Sequence, residues 1–297
     1  MRKSDVQFRR DPVRAFSLIE IMVAVTLLTV ITVGLLAMFY HTQRAFRIGT
    51  SQVDVLEGGR ATLRMVALDL EEMYPSRDNG VTNFYAVPSG ALRIDMPLPN
   101  NAVMENLLQD VTFLTRRGNE WTATSYRVHH ANGAGTLYRA VVSTNLAAMV
   151  VDARARPIDQ RLTVANLISN AMQTFTPPYS ITNTPPKSSV IFDRIADGVV
   201  HFRVHAYDKK GIRLVDTNSV YAHNWNEIYS FTNWVPEYVE LELGILDPKA
   251  MKQFQAREDN SVKAQDYLKK QGYRTHLFHQ RVEIRSRREE FDVFAGP

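Results

Sequence analysis

The sequence predicts an α+β protein: a long N-terminal helix, part membrane-spanning and part amphipathic, packed on an antiparallel β-sheet head. Three observations predict it. Residues 21–40 read IMVAVTLLTVITVGLLAMFY, without a charge. A helical apolar period then continues to about residue 74. Past Pro75 the period changes to two, with turn residues between the apolar runs.

The apolar run has the length a helix needs to cross the hydrocarbon core, about 20 residues. Arg2, Lys3, Arg9, Arg10 and Arg14 precede it, against Asp5 and Asp11. The positive-inside rule keeps that end in the cytoplasm and sends the body outward. These 15 residues hold +3 of the chain's net +4. The pI of about 9.2 is therefore a targeting feature more than a polyanion-binding surface. The 297 residues contain no Cys, which excludes disulfides, thiolate metal sites and cysteine nucleophiles. The 45% hydrophobic and 22% charged content is that of a folded protein.

Three simpler readings compete for the N-terminal segment. A cleaved secretory signal has an apolar region of about 7–15 residues and a small-x-small site. Here the run is longer, and residues 41–47 offer no such site. A twin-arginine signal would use Arg9-Arg10, which Asp11-Pro12 does not fit. A plain signal anchor does not account for Glu20, which follows Phe16-Ser17-Leu18-Ile19 at the lip of the run. A charge deep in a bilayer costs roughly 2.5–3.5 kcal/mol on insertion scales, and less near an interface. A new amino terminus at Phe16 would supply a partner, its ammonium pairing with the Glu20 carboxylate of a neighbouring copy.

The string Ala15-Phe16-Ser17-Leu18-Ile19-Glu20-Ile21-Met22-Val23-Ala24 resembles the prepilin N-methylation motif of type IV pilins and type II secretion pseudopilins. The resemblance implies a pilin-like fold with a leader at 1–15, a transmembrane helix at 16–40, an amphipathic continuation at 41–74 and a head at 75–297. It implies cleavage by prepilin peptidase between Ala15 and Phe16, methylation of the Phe16 amine, and a role for Glu20 in docking subunits. The family usually has Gly before the cut, where this chain has Ala15.

In the second half of the helix, Val53, Leu56, Leu63, Val66, Leu70 and Met73 form an apolar stripe. Gly58-Gly59 is a weak point that could bend it, and Tyr74-Pro75 ends it. Strands are expected at 84–87, 91–95, 111–115, 121–129, 136–142, 199–207, 212–216, 238–245 and 276–285. Asn132-Gly133 and 208–211 read as hairpin turns. Residues 158–173 and 248–271 have helical spacing, and the Pro-rich 174–186 reads as a loop.

Within the head the resemblance narrows to J-type minor pseudopilins. Residues 59–70, ending Leu68-Asp69-Leu70, are similar to their post-span helix. Ser125-Tyr126-Arg127-Val128 and Leu137-Tyr138-Arg139 resemble their Tyr-Arg strands. Residues 198–207, Trp225 or Trp234, and 236–243 resemble later pieces, in the same order. Residues 144–188 and 248–271 look like insertions. The chain also resembles the Verru_Chthon cassette protein C family, and these two stay unseparated.

No phosphate-binding glycine loop and no nucleophile elbow is visible. His201 and His205 are four apart on a strand, about 13 Å at ~3.3 Å per residue. His129-His130 point to opposite faces, and His276 and His279 differ in parity, so no zinc spacing emerges. Asp193, Asp197 and Asp208 lack the dense oxygens of a calcium loop. Arg281, Arg285, Arg287 and Arg288 alternate with Glu283, Glu289 and Glu290, a solvated edge more than a nucleic-acid surface.

The reading is a non-enzymatic minor pilin or pseudopilin subunit with no cofactor and no metal. Its expected partners are prepilin peptidase, other pilin subunits, inner-membrane lipid and the inner-membrane assembly platform, with the head in the periplasm. The rival readings are a DNA-uptake or adhesive minor pilin, and a membrane-anchored envelope enzyme or binding domain.

Overall fold

A computed structural model describes residues 17–76, 78, 80–89, 93–97, 103–144, 147–151, 157–161, 164, 167–168, 171, 192–214, 228–257 and 259–285. The expected cut at Ala15 and Phe16, the loop at 174–186 and Trp225 lie outside these residues, as do Arg287 and Arg288. The chain divides into two compact units, Met1–Gln52 and Val53–Pro297.

Helix α1 runs unbroken over Leu18–Glu71, 54 residues. It stops short of the expected Tyr74. The Met73 amide still bonds Leu70 O at 3.0 Å, but the Tyr74 amide donates to Leu114 O at 2.9 Å. Met73 thereby bridges Thr115, and the chain leaves the helix to join the sheet before Pro75 is reached.

Twelve strands follow among the described residues: β1 (Thr82–Pro88), β2 (Asp95–Pro97), β3 (Val103–Glu105), β4 (Gln109–Arg117), β5 (Glu120–Ala131), β6 (Ala134–Ser143), β7 (Ala147–Val151), β8 (Pro157–Arg161), β9 (Phe192–Tyr207), β10 (Tyr229–Thr232), β11 (Tyr238–Leu246) and β12 (Thr275–Glu283). Eight form one sheet in the order β10-β1-β4-β5-β6-β9-β11-β12, and β2-β3 and β7-β8 form small ribbons. Every neighbouring pair in the large sheet is antiparallel. The molecule is thus an α+β protein with a long apolar N-terminal helix and an antiparallel head, consistent with a pilin-like fold.

Several expected elements differ. Residues 158–161 belong to β8, paired with β7, and the described residues Val164, Leu167, Ile168 and Ala171 are helical. Of the expected strand at 212–216, the described residues 212–214 hold a single bridge, between Tyr207 and Arg213. The segment folds back through the 208–211 turn, where the Asp208 carboxylate accepts from Lys210 N and Ile212 N at 2.9 and 2.8 Å. The strand expected from residue 91 starts at Asp95. Residues 248–271 form two helices, α2 (Pro248–Gln255) and α3 (Ser261–Gln271). Asp247 caps α2 ahead of Pro248, and Asn260 caps α3, so each has its own start signal. Within α3, Ala264 and Leu268 are buried, while Val262 is 64% exposed.

Strand alternation sends side chains to two sides of the sheet. On one side Leu63, Val66, Ala67 and Leu70 of α1 meet Phe84, Phe113, Tyr126, Phe202, Leu241 and Leu243 in the main core. On β4, Val111 and Phe113 join this cluster, whereas Leu114 packs with Ala123, Val142, Leu167 and Ile168 in another. A third cluster seats α2 and α3 on Ile94, Met96, Ala134 and Val200. The Asn132-Gly133 hairpin forms as expected, with φ of 54° and 98° at those residues, the two left-handed positions a primed turn needs.

A polar clamp fixes α1 on the sheet. Asp69 Oδ2 accepts from Tyr126 Oη at 2.5 Å and from Arg139 Nε at 2.7 Å. Burial, then the Asp69 charge, push the Tyr126 phenol far above its ordinary value, so it stays a donor. Asp69, Tyr126 and Arg139 all come from the segments that resemble J-type pseudopilins. A second contact depends on Gly59. A Cβ there would lie 2.3 Å from the Phe278 ring of β12, so any larger residue would have to displace the ring from this position. The expected weak point of the helix is a docking notch.

Candidate functional site

The first candidate is the start of α1. Ser17 is its N-cap. The Glu20 carboxylate accepts from Ser17 N at 2.9 Å and from Ser17 Oγ at 3.1 Å, while Glu20 N donates to Ser17 Oγ at 3.3 Å. This reciprocal arrangement is a capping box, which satisfies donors that a helix start leaves unpaired. Glu20 thus has a partner within its own chain, in addition to the intermolecular amine the sequence leads one to expect. The S-x-x-E spacing of Ser17 and Glu20 is the signal that finds it.

Beyond Glu20 the helix presents apolar side chains on every face. An 18-residue window has mean hydropathy 2.5 and none of it is buried. The hydroxyls in this stretch turn back on the helix. Thr26 donates to Val23 O at 2.8 Å, Thr29 to Val25 O at 2.7 Å, and Thr32 to Leu28 O at 2.8 Å. No polar hydrogen of these threonines is left facing an apolar surround, as lipid requires. The helix can enter a bilayer or pack against other apolar helices.

The second candidate is a polar strip on the side of the sheet away from α1. His201, Arg203 and His205 of β9 lie beside Glu240 and Glu242 of β11, in register Glu242↔Arg203. The Leu107 amide donates to His201 Nδ1 at 3.0 Å, so His201 Nε2 carries the proton and donates to Glu242 Oε2 at 3.0 Å. That hydrogen bond is the main reason the Glu242 carboxyl is lowered to about 2. His205 Nε2 lies 3.8 Å from Glu242 Oε1. Burial, then Arg203 and Arg213, lower its imidazole to about 4. Tyr207 Oη donates to Glu240 at 2.8 Å, and burial with that bond raises the phenol to about 12.

The strand geometry keeps the two imidazoles apart, and Glu242 reaches both. His201 has one ring nitrogen accepting and the other donating, which leaves no lone pair for a metal. Among the described residues no group of three metal-ligating side chains converges. The acidic candidates have local partners instead. Asp197 accepts from Thr136 and Arg194, and Asp208 caps its own turn. Arg281 lies over the Tyr238 ring at 3.7 Å, and Arg285 pairs with Glu71. The strip is a hydrogen-bonded seam that ties β9 to β11, and Glu242 at its centre is not marked by any sequence motif.

Comparison with known families bears on the first site. Residues 10–36 match the prokaryotic N-terminal methylation motif, a match that takes in Ala15, Phe16, the capping box and most of the apolar run. The curated proteins give no match. The motif and the unburied apolar helix that continues it are similar to those of type IV prepilin-like precursors, which prepilin peptidase processes, and the helix is long and apolar enough to anchor the chain in a membrane.

Proposed function

We propose that the chain is a minor pilin or pseudopilin subunit with a structural, non-catalytic role. The observation that carries this reading is the register between the methylation motif and the apolar helix: the motif match spans 10–36, and none of the helix's apolar window is buried. Prepilin peptidase cuts between Ala15 and Phe16 on the cytoplasmic side of the inner membrane and methylates the Phe16 amine. The head stands in the periplasm. The subunit then leaves the bilayer for a type II secretion pseudopilus or a type IV pilus-like filament, its apolar helix packing against those of other subunits on the assembly platform.

Within that reading the capping box has a second use. Before the cut, Ser17 holds the Glu20 carboxylate at the helix start. After it, the ammonium on Phe16 of a neighbouring subunit competes for that carboxylate, and a full charge pair displaces a hydroxyl. The J-type assignment is supported by the meeting of Asp69, Tyr126 and Arg139, which joins three segments of that resemblance in one clamp.

Co-expression with prepilin peptidase, followed by N-terminal sequencing, tests the reading. The mature chain is expected to begin with methylated Phe16, and material that retains residues 1–15 would refute it. Glu20→Ala is expected to insert in the membrane normally while losing incorporation into filaments.

A further inference from the structure

β12 closes one end of the eight-stranded sheet and pairs only with β11 among the described residues. An open edge offers a row of unpaired N–H and C=O groups, which proteins ordinarily blunt with short strands, bulges, proline or a covering element. At the other end of the sheet, β10 has four residues and an irregular register with β1. β12 has nine residues, no proline and nine consecutive pairs with β11 without a shift, from Tyr238↔Glu283 to Leu246↔Thr275. Its one arginine, Arg281, is drawn back over the Tyr238 ring.

Beside this edge runs an open groove of about 760 Å³, with α1 as its far wall. Helix and strand lie alongside each other. Gly59 touches Phe278 at one end, and Arg285 N donates to Glu71 O at the other. Arg60, Arg64 and Leu68 of α1 line the groove with Leu277 of β12, and Leu68 and Leu277 are 49% and 45% exposed. Glu71 is taken by Arg285. Arg60 and Arg64 have no ion pair with any described residue and give the groove its charge.

We propose that this edge accepts an extended acidic segment of a neighbouring subunit as an added strand. The proposal rests on the filament-subunit reading and names a partner surface for it. An added strand would lie about 4.8 Å from β12 and satisfy the free backbone groups. Alternate side chains would face α1. Arg60 and Arg64 are about 6 Å apart along the helix, and alternate strand residues are about 6.7 Å apart. Carboxylates two residues apart therefore meet both arginines. A helix in the same groove would leave the edge hydrogen bonds unmade.

The test uses the full chain in detergent micelles and a fluorescein-labelled heptapeptide of alternating Glu and Val, read by anisotropy. Saturable binding is expected. N-methylation of either set of alternate peptide amides distinguishes strand addition from charge attraction, and one set is expected to weaken binding at least tenfold. Arg60→Glu with Arg64→Glu, at two exposed positions, is expected to weaken it by a similar factor and to create binding for a Lys–Val peptide. Absence of saturable binding overturns the proposal. So does indifference to both N-methylated peptides, or displacement of the peptide by an oligonucleotide at lower concentration. An uncut N-terminus in the sequencing experiment would sink the subunit reading while leaving this measurement standing. Lost peptide binding by a correctly cut chain would sink the edge proposal alone.

Discussion

Removing the Asp69 carboxylate deprives the Tyr126 hydroxyl and the Arg139 guanidinium of their shared acceptor at the seam between α1 and the sheet. Breaking a buried charged pair from one side costs about 3–5 kcal/mol. Asp69 and Arg139 keep 22% and 25% of their side-chain surface, so about 2–3 kcal/mol is the expected loss for Asp69→Ala. A lower denaturant midpoint with unchanged slope would register it. Asp69→Asn retains an acceptor oxygen and should lose less. The three residues are legible in the sequence as parts of a resemblance, but their contact is not. They are 57 and 70 positions apart, and no local pattern reports a meeting at that separation. Ser17 and Glu20 differ in this respect. Three residues apart at a helix start, their bond follows from spacing alone.

The paired glycines of α1 give the test at the level of the element. A methyl group on Gly58 would have nothing within 4 Å, whereas one on Gly59 would collide with Phe278. Alanine is favoured over glycine in a helix by about 1 kcal/mol. Gly58→Ala is therefore expected to raise the melting temperature, and Gly59→Ala to lower it by the cost of overpacking, about 1–3 kcal/mol. Thermal unfolding of the two variants side by side decides this. Long elements with a clear period are legible: α1, β4, β5, β6, β11 and β12 fall close to where alternation or a helical stripe puts them, whereas β9 begins at Phe192, seven residues before the expected start at 199. The short ribbon strands and β10 are not. A run of three to five residues shows too few repeats of any period, and its partner, more than its own sequence, makes it a strand. The charged stretch 248–271 reads as one helical run because periodicity ignores caps, and Asn260 restarts the helix in mid-run.

For the whole molecule, the change of period at Pro75 is enough to give the α+β class. The order β10-β1-β4-β5-β6-β9-β11-β12 is out of reach, since β10 crosses from late in the chain to the far edge beside β1. The candidate site divides in the same way. Its N-terminal part is written in consecutive residues and can be read. The edge groove joins residues 60–71 to 277–285 and exists only once the chain has folded. The boundary between the two compact units falls at Gln52 and Val53, inside one continuous helix. Leu63, Val66, Ala67 and Leu70 of that helix belong to the core of the second unit. A graft of another subunit's N-terminal helix should therefore leave the head folded when the splice lies at residue 52. One that runs on through residue 70 should yield insoluble or protease-sensitive protein. Swapping membrane anchors between subunits is safe only on the near side of that seam, because the last turns of the same helix are cargo of the head.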